Sequence, residues 1–322
     1  MMELLKIDNL KTYFKTSKGI VRAVDGVSFS IERGQAVGLV GESGCGKTTT
    51  ALSIVNLLPE NGKITEGSIL LDGKDLTKLS KDRVRKQRWK NVSIVFQSAM
   101  NALNPVMKVG DQVIEAIMYH NHLTYEEARK KTKELFDLVE IDKNRIDNYP
   151  HEFSGGMKQR VMIAMALACD PKLIIGDEPT TALDVIVQAQ ILNLLNKIKE
   201  ELNTGLLIIT HDLSILGEVC DEIVIMYAGK IVEKGRTEQI YEEHLHPYTY
   251  KLFKSFPDIQ GERILEEALM GRAPNLSDHL PGCRFNPRCS FASDKCRIEE
   301  PKLKEASPGH YCACHYGGVW NG

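Results

Sequence analysis

The sequence feature that most constrains the fold is the segment Gly41–Thr48, which reads Gly-Glu-Ser-Gly-Cys-Gly-Lys-Thr. It follows an apolar run, Ala36–Val40, that predicts a buried strand, and it precedes Thr49–Leu58, which predicts a helix. Such a glycine-rich turn binds phosphate, because its backbone N–H groups point inward and the helix adds the positive end of its dipole. We call Gly41–Thr48 the phosphate loop. Lys47 is expected to reach the β- and γ-phosphates of a nucleotide, and the Thr48 hydroxyl to bind Mg²⁺.

The composition disfavours several classes of protein. The 322 residues include 41 Lys and Arg against 43 Asp and Glu, without a basic block that would follow a nucleic-acid backbone, so nucleic acid is not favoured as a partner. The sequence has no apolar run near the ~18 residues that cross a bilayer. Its N-terminus lacks the basic and apolar regions of a signal peptide. We therefore expect a cytoplasmic chain, with either one large domain and an appendage or two domains.

Short alternating runs in residues 3–40 predict a small antiparallel β layer that leads into the strand of the phosphate loop. Tyr13 and Phe14 lie within this layer in a polar, turn-like context. Each is either an ordinary packing residue or an aromatic face for a nucleotide base. The packing interpretation weighs more for Phe14 than for Tyr13.

A helical region is predicted after the strand Val92–Phe96, which ends at Gln97. Ligands bind at the carboxyl ends of strands in open α/β sheets, so Gln97 is either a ligand-facing residue or a surface glutamine. Residues 109–139 have apolar residues at helical spacing and a capping box at Thr124–Glu127. This region is typical of a helical subdomain inserted into an α/β core.

A second helix N-terminus with small residues is predicted at Ser154-Gly155-Gly156, ahead of the apolar run Val161–Ala168. Free N–H groups at such an end suit an anion, and a plain helix N-cap is the alternative interpretation.

Two further buried strands end in polar residues. Leu173–Gly176 is followed by Asp177 and Glu178, and Leu206–Thr210 is followed by His211. Two acids at a strand end fit one carboxylate acting on a metal and the other on water. The alternation of strands and helices predicts a mainly parallel sheet with helices on both faces.

Five of the eight cysteines lie in the last forty residues, at Cys283, Cys289, Cys296, Cys312 and Cys314. In a reducing compartment this crowding indicates metal rather than disulfides. The spacing lacks the paired Cys-x-x-Cys of zinc ribbons, and four prolines indicate a loop-rich segment that a metal would fold. Four thiolates suit an iron–sulfur cluster as well as zinc, and unligated thiols are the remaining alternative. We call residues 283–314 the cysteine segment.

Together these motifs resemble the nucleotide-binding subunit of an ABC transporter over about residues 3–255. The resemblance implies a RecA-like α/β core with a mainly parallel sheet, an antiparallel β layer and an inserted helical subdomain at about residues 98–165. Residues 1–255 would form the nucleotide-binding domain, and residues 256–322 a loop-rich C-terminal region. Two such subunits would bind two ATP molecules, each between the phosphate loop of one subunit and the Ser-Gly-Gly segment of the other.

The resemblance also implies a role for each motif residue. In hydrolysis Glu178 would be the catalytic base, Gln97 would contact Mg²⁺ and the attacking water, and His211 would contact the γ-phosphate. Asp177 would order the Mg²⁺ shell together with Thr48. The remaining nucleotide-site residues are Tyr13 on the adenine, Gly41, Ser43, Gly44, Cys45, Gly46, Lys47 and Thr49 in and after the phosphate loop, Ser154, Gly155 and Gly156 at the γ-phosphate, and Asp184, which would communicate across the dimer.

Phe153 and Met157 depart from the family's usual Leu-Ser-Gly-Gly-Gln. Neither change removes Ser154 or the two glycine amides after it, so we expect a working site.

The segments Pro150–Met157 and His246–Thr249, with the cysteine segment, resemble the dipeptide and oligopeptide importer branch, which includes nickel and some sugar relatives. This implies a [4Fe-4S] cluster, with a four-cysteine zinc site as the alternative. The cluster ligands implied are Cys283, Cys289, Cys296 and Cys314, with Cys314 rather than Cys312 as the fourth. We expect Arg284, Arg288 and Lys295 to offset the charge of the thiolates, and nucleotide binding by residues 1–255 to survive loss of the cluster.

The function implied is an ATP-hydrolysing motor subunit, peripheral on the cytoplasmic face of the membrane. Its partners would be a second, usually unlike ATP-binding subunit, two transmembrane permease subunits and an external solute-binding protein. The alternatives are an importer of nickel or sugar, a soluble ABC-type ATPase acting on nucleic acid or ribosomes, and a redox or metal sensor in which the cysteine segment regulates the ATPase.

Overall fold

The computed structural model describes residues 3–96, 102–181, 183–213, 215–255, 271–278 and 280–318. The chain divides into two compact units. The first contains the residues up to Leu5, Ile31–Ala36 and Leu71–Ile209, and the second contains Lys6–Ser30, Val37–Leu70 and the residues from Thr210 onward.

The strands of the described residues are β1 (Glu3–Thr16), β2 (Gly19–Glu32), β3 (Ala36–Val40), β4 (Gly62–Leu71), β5 (Lys74–Asp75), β6 (Val92–Val95), β7 (Leu173–Asp177), β8 (Gly205–Thr210), β9 (Glu222–Tyr227), β10 (Lys230–Arg236), β11 (Lys304–Ser307) and β12 (His310–Cys312). The α-helices are α1 (Lys47–Ile54), α2 (Lys81–Gln87), α3 (Val109–Asn121), α4 (Tyr125–Leu138), α5 (Gly155–Leu167), α6 (Val185–Leu202), α7 (Leu216–Val219), α8 (Thr237–Glu242), α9 (Pro247–Lys254) and α10 (Asp294–Ile298). Short 3₁₀ turns lie at Leu76–Lys78, Lys143–Asp147, Pro150–Glu152 and Asn286–Arg288.

In the first unit, β6, β7 and β8 form a parallel sheet. Val95 pairs with Gly176, and Asp177 pairs with Ile209. Strands of a parallel sheet are buried on both faces, and this explains why β7 and β8 are continuous apolar runs. The predicted parallel core is confirmed.

Helices α3, α4 and α5 of the first unit pack against one another. Residues 109–139 form two helices rather than one, because His122 takes the left-handed conformation that ends α3. Thr124 then begins α4: its side chain accepts from the Glu127 N–H while Glu127 accepts from the Thr124 N–H. The capping box predicted from the sequence is confirmed.

In the second unit, β3 pairs with β9 in parallel, and β10 lies antiparallel to β9. Strand β12 pairs with β10, and β11 pairs with β12, both antiparallel. Strands β2, β1 and β4 lie side by side in that order in a separate sheet, and a two-residue turn joins β1 to β2, as in an antiparallel hairpin. Strands β1 and β2 correspond to the β layer predicted in residues 3–40, whereas β4 follows the phosphate loop.

The cysteine segment shares an aromatic core with the rest of the second unit. The Phe285 ring lies 5.2 Å from Tyr227 of β9 and 5.5 Å from Tyr248 of α9, and those two rings are 4.7 Å apart between centroids. All three side chains are fully buried. The predicted domain boundary at residue 255 adjoins residues 256–270, which lie outside the described residues, and it stays a prediction.

Candidate nucleotide-binding and catalytic site

The phosphate loop has a backbone shape that only glycine allows at two positions. Gly41 has φ 151°, and a Cβ there would lie 2.1 Å from the Met226 carbonyl oxygen. Gly46 has φ 110°, and its Cβ would lie 2.2 Å from the Ala23 carbonyl oxygen. Both neighbours are backbone atoms, so the loop is fitted tightly between two strands of its own unit.

Lys47 lies at the base of the loop and begins α1, two residues earlier than the sequence predicts. Its buried ammonium donates to the carbonyl oxygens of Gly41, at 2.5 Å, and Glu42, at 3.1 Å. Helix α1 ends at Ile54 rather than Leu58, before Asn56, whose φ is 49°. The loop therefore holds its cation inside a backbone nest that also directs N–H groups to an anion.

The outer side of the loop is exposed to solvent. Ser43, Gly44 and Thr48 are exposed, and Thr49 is half-buried. Cys45 is buried, and burial raises the pKa of its thiol, so it acts as a packing residue. The Thr50 hydroxyl donates to the Gly46 carbonyl oxygen at 3.0 Å and fixes the first turn of α1.

Tyr13 on β1 is half-buried, and its hydroxyl donates to Asp25 Oδ1 at 2.7 Å. Burial, and then the bond to Asp25, raise the pKa of Tyr13 to about 12. The ring is therefore neutral and held by its hydroxyl. Adenine stacking on Tyr13 stays a prediction.

The two acids that follow the strand Leu173–Gly176 differ in backbone conformation. Asp177 is the last residue of β7 and is 4% exposed. Glu178 has φ 52°, a left-handed conformation that is uncommon for residues other than glycine, and its N–H donates to the Ile209 carbonyl oxygen at 2.8 Å. Strained backbone of this kind concentrates at functional sites. The Thr181 hydroxyl donates to Glu178 Oε2 at 3.0 Å and orients the carboxylate.

His211 follows β8 and is exposed. The turn at this strand end is stabilised by the Asp212 N–H, which donates to the Thr210 hydroxyl at 2.9 Å. Gln97, the fourth strand-end residue predicted, lies outside the described residues.

The Ser-Gly-Gly segment begins α5, as the sequence predicts. The Ser154 hydroxyl accepts from the Met157 N–H at 3.3 Å, and Gly155 and Gly156 are half-buried. A Cβ on Gly156 would lie 2.5 Å from the side chain of Val187 in α6, so close packing requires glycine there. The departure Phe153 is a core residue, 4% exposed, and its ring is covered by the Arg145 guanidinium at 5.4 Å.

Asp184 is the N-cap of α6, and its side chain accepts from the Val187 N–H at 2.9 Å. Its own side chain is exposed, as are those of Val185 and Ile186. The structure thus gives Asp184 a capping role, and its role between subunits stays a prediction.

Four of the five cysteines near the C-terminus line one cavity, and these are the four predicted ligands, Cys283, Cys289, Cys296 and Cys314. Burial, and then the neighbouring thiols, raise the pKa of Cys283 to about 11. Cys312 lies on β12, where it pairs with Glu233. All eight cysteines are free thiols.

Within the described residues, no group of three or more His, Cys, Asp or Glu side chains is arranged to hold a single metal ion. The predicted iron–sulfur cluster is therefore not shown, and it stays a prediction.

The three cations predicted to balance the thiolates each pair with a carboxylate. Arg284 donates to Asp25 and to the Ala228 carbonyl oxygen, and Arg288 donates to both carboxylate oxygens of Glu42. Lys295 pairs with Glu299. Nearby carboxylates pair with both guanidinium groups, and the role of these arginines in balancing the charge of the thiolates stays a prediction.

The sequence pattern gives no role to Asp25, Glu42 or Tyr248, although all three contact the predicted site residues or the loop backbone. Asp25 is a charged residue inside the alternating strand β2, and this is the one feature of the sequence that could have indicated its role. Glu42 occupies a position at which the loop motif allows any residue, so the motif does not predict the partner of Glu42.

In the part of the chain that the structure describes, no helix is long and apolar enough to span a membrane.

Comparison with known proteins identifies the family. Residues 24–181 match the family model described as ABC transporter, and residues 232–296 match the model of the oligopeptide/dipeptide transporter C-terminal region. The oligopeptide transport ATP-binding protein AppD of Bacillus subtilis is 46% identical over 317 residues, with 98% of this chain and 97% of that protein covered. The dipeptide transport ATP-binding protein DppD of Escherichia coli is 42% identical with the same coverage.

A solved structure agrees. The dimeric post-hydrolysis state of the ATP-binding cassette MJ0796, bound to ADP and Pi, is similar with a TM-score of 0.65 and 29% identity, covering 72% of this chain and 98% of that one. The RecA-like α/β cassette predicted from the sequence is confirmed. The chain belongs to the family of ATP-binding subunits of oligopeptide and dipeptide ABC transporters.

Proposed function

We propose that this chain is the ATP-hydrolysing subunit of a membrane importer for dipeptides or oligopeptides, peripheral on the cytoplasmic face. The observation that carries the proposal is a preformed phosphate loop in a chain whose strand β7 ends in an ordered pair of acids. Its relatives are named as oligopeptide and dipeptide transport ATP-binding proteins over nearly the whole length. ATP binding would close a dimer of such subunits, and hydrolysis would reset it.

Within this proposal Glu178 is the catalytic base. Its carboxylate is oriented by Thr181, and its unusual backbone is held by the hydrogen bond to Ile209. Asp177 would order the Mg²⁺ shell and Thr48 would bind the ion directly, as carboxylate and hydroxyl oxygens do. His211 and Gln97 would contact the γ-phosphate and the attacking water.

Nucleotide is held by main-chain and side-chain groups of two subunits. Lys47 and the amides of the phosphate loop would bind the β- and γ-phosphates, and Tyr13 would stack on the adenine. Ser154 and the amides of Gly155 and Gly156 would meet the γ-phosphate of the nucleotide held by the other subunit. An unlike ATP-binding subunit, two permease subunits and an external binding protein complete the importer.

The cysteine segment would hold a [4Fe-4S] cluster through Cys283, Cys289, Cys296 and Cys314. Convergence of these four thiols on one cavity supports the assignment, and the position of Cys312 on β12 favours Cys314 as the fourth ligand. Buried thiolates that lie close together are unfavourable without a cation, so the donor set suits a positively charged inorganic group. Four protein ligands leave no open position for substrate, and the cluster would have a structural role.

A four-cysteine zinc site is the alternative for the same four thiols. Zinc would bind four thiolates to one ion at about 2.3 Å, whereas in a cluster each thiolate would bind a different iron. Metal and sulfide analysis distinguishes the two groups.

A soluble ABC-type ATPase is disfavoured because residues 232–296 match the C-terminal region of peptide transporters. Nickel and sugar importers remain outcomes of a direct test. Co-purification of the chain with its membrane subunits, followed by mass spectrometry and solute-binding assays, would identify the solute class. Recovery of a nickel- or sugar-binding protein instead would contradict the peptide assignment.

Glu178→Gln tests the ATPase assignment. A positioned general base contributes ~10²- to 10⁴-fold to the rate, so phosphate release should fall by that factor while MgATP binding remains. Thr181→Val, which removes only the orienting hydroxyl, should cost less. Loss of MgATP binding in the Glu178→Gln protein would show that Glu178 is structural rather than catalytic.

A further inference from the structure

The cysteine segment makes a partly buried ion pair with the phosphate loop. Arg288 donates from Nη1 to Glu42 Oε2 at 2.7 Å and from Nη2 to Glu42 Oε1 at 2.9 Å. The Arg288 side chain is 6% exposed and that of Glu42 is 25% exposed. A two-point guanidinium–carboxylate pair fixes both distance and orientation, and it is stronger than a single contact.

Other contacts hold both partners of this pair. The Glu42 N–H donates to the Tyr248 hydroxyl at 2.9 Å. Arg288 also donates to the Tyr227 hydroxyl at 3.3 Å, and its guanidinium lies 5.8 Å from the Tyr227 ring centroid. Tyr227 and Tyr248 belong to the buried aromatic core of the same unit. The guanidinium is therefore held in place by a packed core.

The negative charge of Glu42 disfavours phosphate binding by the loop. Glu42 is the second residue of a segment whose backbone directs N–H groups at phosphate, and a carboxylate beside that site opposes the binding of a polyanion. Arg288 removes most of this opposition by pairing with both oxygens. In the folded chain the hydrogen bonds to Glu42 raise the pKa of Arg288, as expected for a stable cation.

We propose that Arg288 is a positioning residue of the nucleotide site: it neutralises Glu42 and holds the phosphate loop in the state that binds MgATP. The inference rests on the proposed function, because it assumes that the loop binds nucleotide phosphates. Since Arg288 directly precedes Cys289, the charge balance of the loop depends on the folded state of the cysteine segment. Nucleotide affinity is thereby coupled to a segment 246 residues away in the sequence.

The test compares three variants of the full-length chain by calorimetric titration with MgATP. R288Q should bind roughly tenfold more weakly, because it leaves the Glu42 carboxylate unpaired beside the phosphates. The double variant E42Q/R288Q should recover to within about threefold of wild type, because the opposing charge is gone. Arg297, which pairs with Asp294 in the same segment and is exposed, supplies the matched control: R297Q should bind as wild type does.

R288K offers a second measurement if R288Q is poorly folded. Lysine keeps the charge but not the two-point geometry, so its affinity should lie between those of wild type and R288Q. Unchanged affinity in R288Q would overturn the proposal. A loss in R288Q that E42Q does not restore would also overturn it, since Arg288 would then act only by holding the cysteine segment in place. The Lys47→Ala variant distinguishes failure of the Arg288 proposal from failure of the phosphate-loop assignment. If Lys47→Ala also binds MgATP normally, the phosphate-loop assignment itself is wrong.

Discussion

The phosphate loop and the cysteine segment belong to the same compact unit, yet they are built in different ways. The loop is formed by the main chain, and its shape is fixed by Gly41 and Gly46, where any side chain would meet a backbone oxygen. The cysteine segment contains a three-residue turn, the short helix α10 and two short strands, and its four thiols converge on a cavity. The loop is complete without its ligand, whereas the four thiols of the segment would release their protons and bind the proposed cluster as thiolates.

The difference determines what each region loses on mutation. A preformed backbone site fails when a group that touches the ligand is removed, while the surrounding fold stays intact. A segment assembled around a ligand fails as a whole when one ligand residue is lost. Variants that damage one region and spare the other therefore test this comparison.

The largest effect on MgATP affinity is expected for Lys47→Ala. The variant removes the buried ammonium that donates to the Gly41 and Glu42 carbonyl oxygens and that would bind the phosphates. MgATP affinity should fall by about a hundredfold or more, as expected when a group that contacts a charged ligand directly is lost. Iron content and colour should not change. An unchanged dissociation constant for MgATP would contradict the assignment of the loop.

Cys289→Ser should have the converse pattern. If the proposed cluster stabilises the segment, loss of one ligand should abolish the brown colour and make the C-terminal residues sensitive to protease. MgATP binding should persist, weakened by no more than the roughly tenfold expected for R288Q. Cys312→Ser is the matched control, since Cys312 lies on β12, and it should keep both colour and affinity. Retention of a full cluster in the Cys289→Ser protein would exclude Cys289 as a ligand.

The smallest effect is expected when the pH at which iron is loaded changes. Burial raises the pKa of Cys283 to about 11 and also raises those of Cys289 and Cys314, so these thiols hold their protons at neutral pH. Binding of iron must release those protons, and loading of metal-free protein should therefore increase severalfold from pH 7.5 to 8.5. MgATP affinity should change by less than about twofold over this range, because backbone amides do not titrate. Equal loading at both pH values, measured by absorbance, would contradict this account of the thiols.

Local sequence patterns predict the parts of the fold that local physics decides. The phosphate loop, the capping box at Thr124 and the acids at the end of β7 each depend on residues within one turn or one strand end, and the structure places them as predicted. The left-handed backbone of Glu178 is not predictable in this way. It is stabilised by a hydrogen bond to β8, which only the assembled sheet supplies.

Long-range ion pairs are the other feature that the sequence does not predict. The pairs Arg288–Glu42 and Arg284–Asp25 join residues 246 and 259 positions apart. The positive charges beside the cysteines favoured a role at the thiolates, because the carboxylates that pair with them are distant in the sequence. For this reason the sequence predicts that nucleotide binding by residues 1–255 does not depend on the cysteine segment. The Arg288–Glu42 pair instead connects the cysteine segment to the phosphate loop.

The claim that the cysteine segment is built around an iron–sulfur cluster is tested most directly by metal and sulfide analysis of anaerobically purified full-length protein. The account predicts about four irons and about four sulfides per chain, with a broad absorption near ~400 nm, as expected for four-thiolate iron–sulfur ligation. Stoichiometric zinc without iron or sulfide would contradict it and would favour a four-cysteine zinc site.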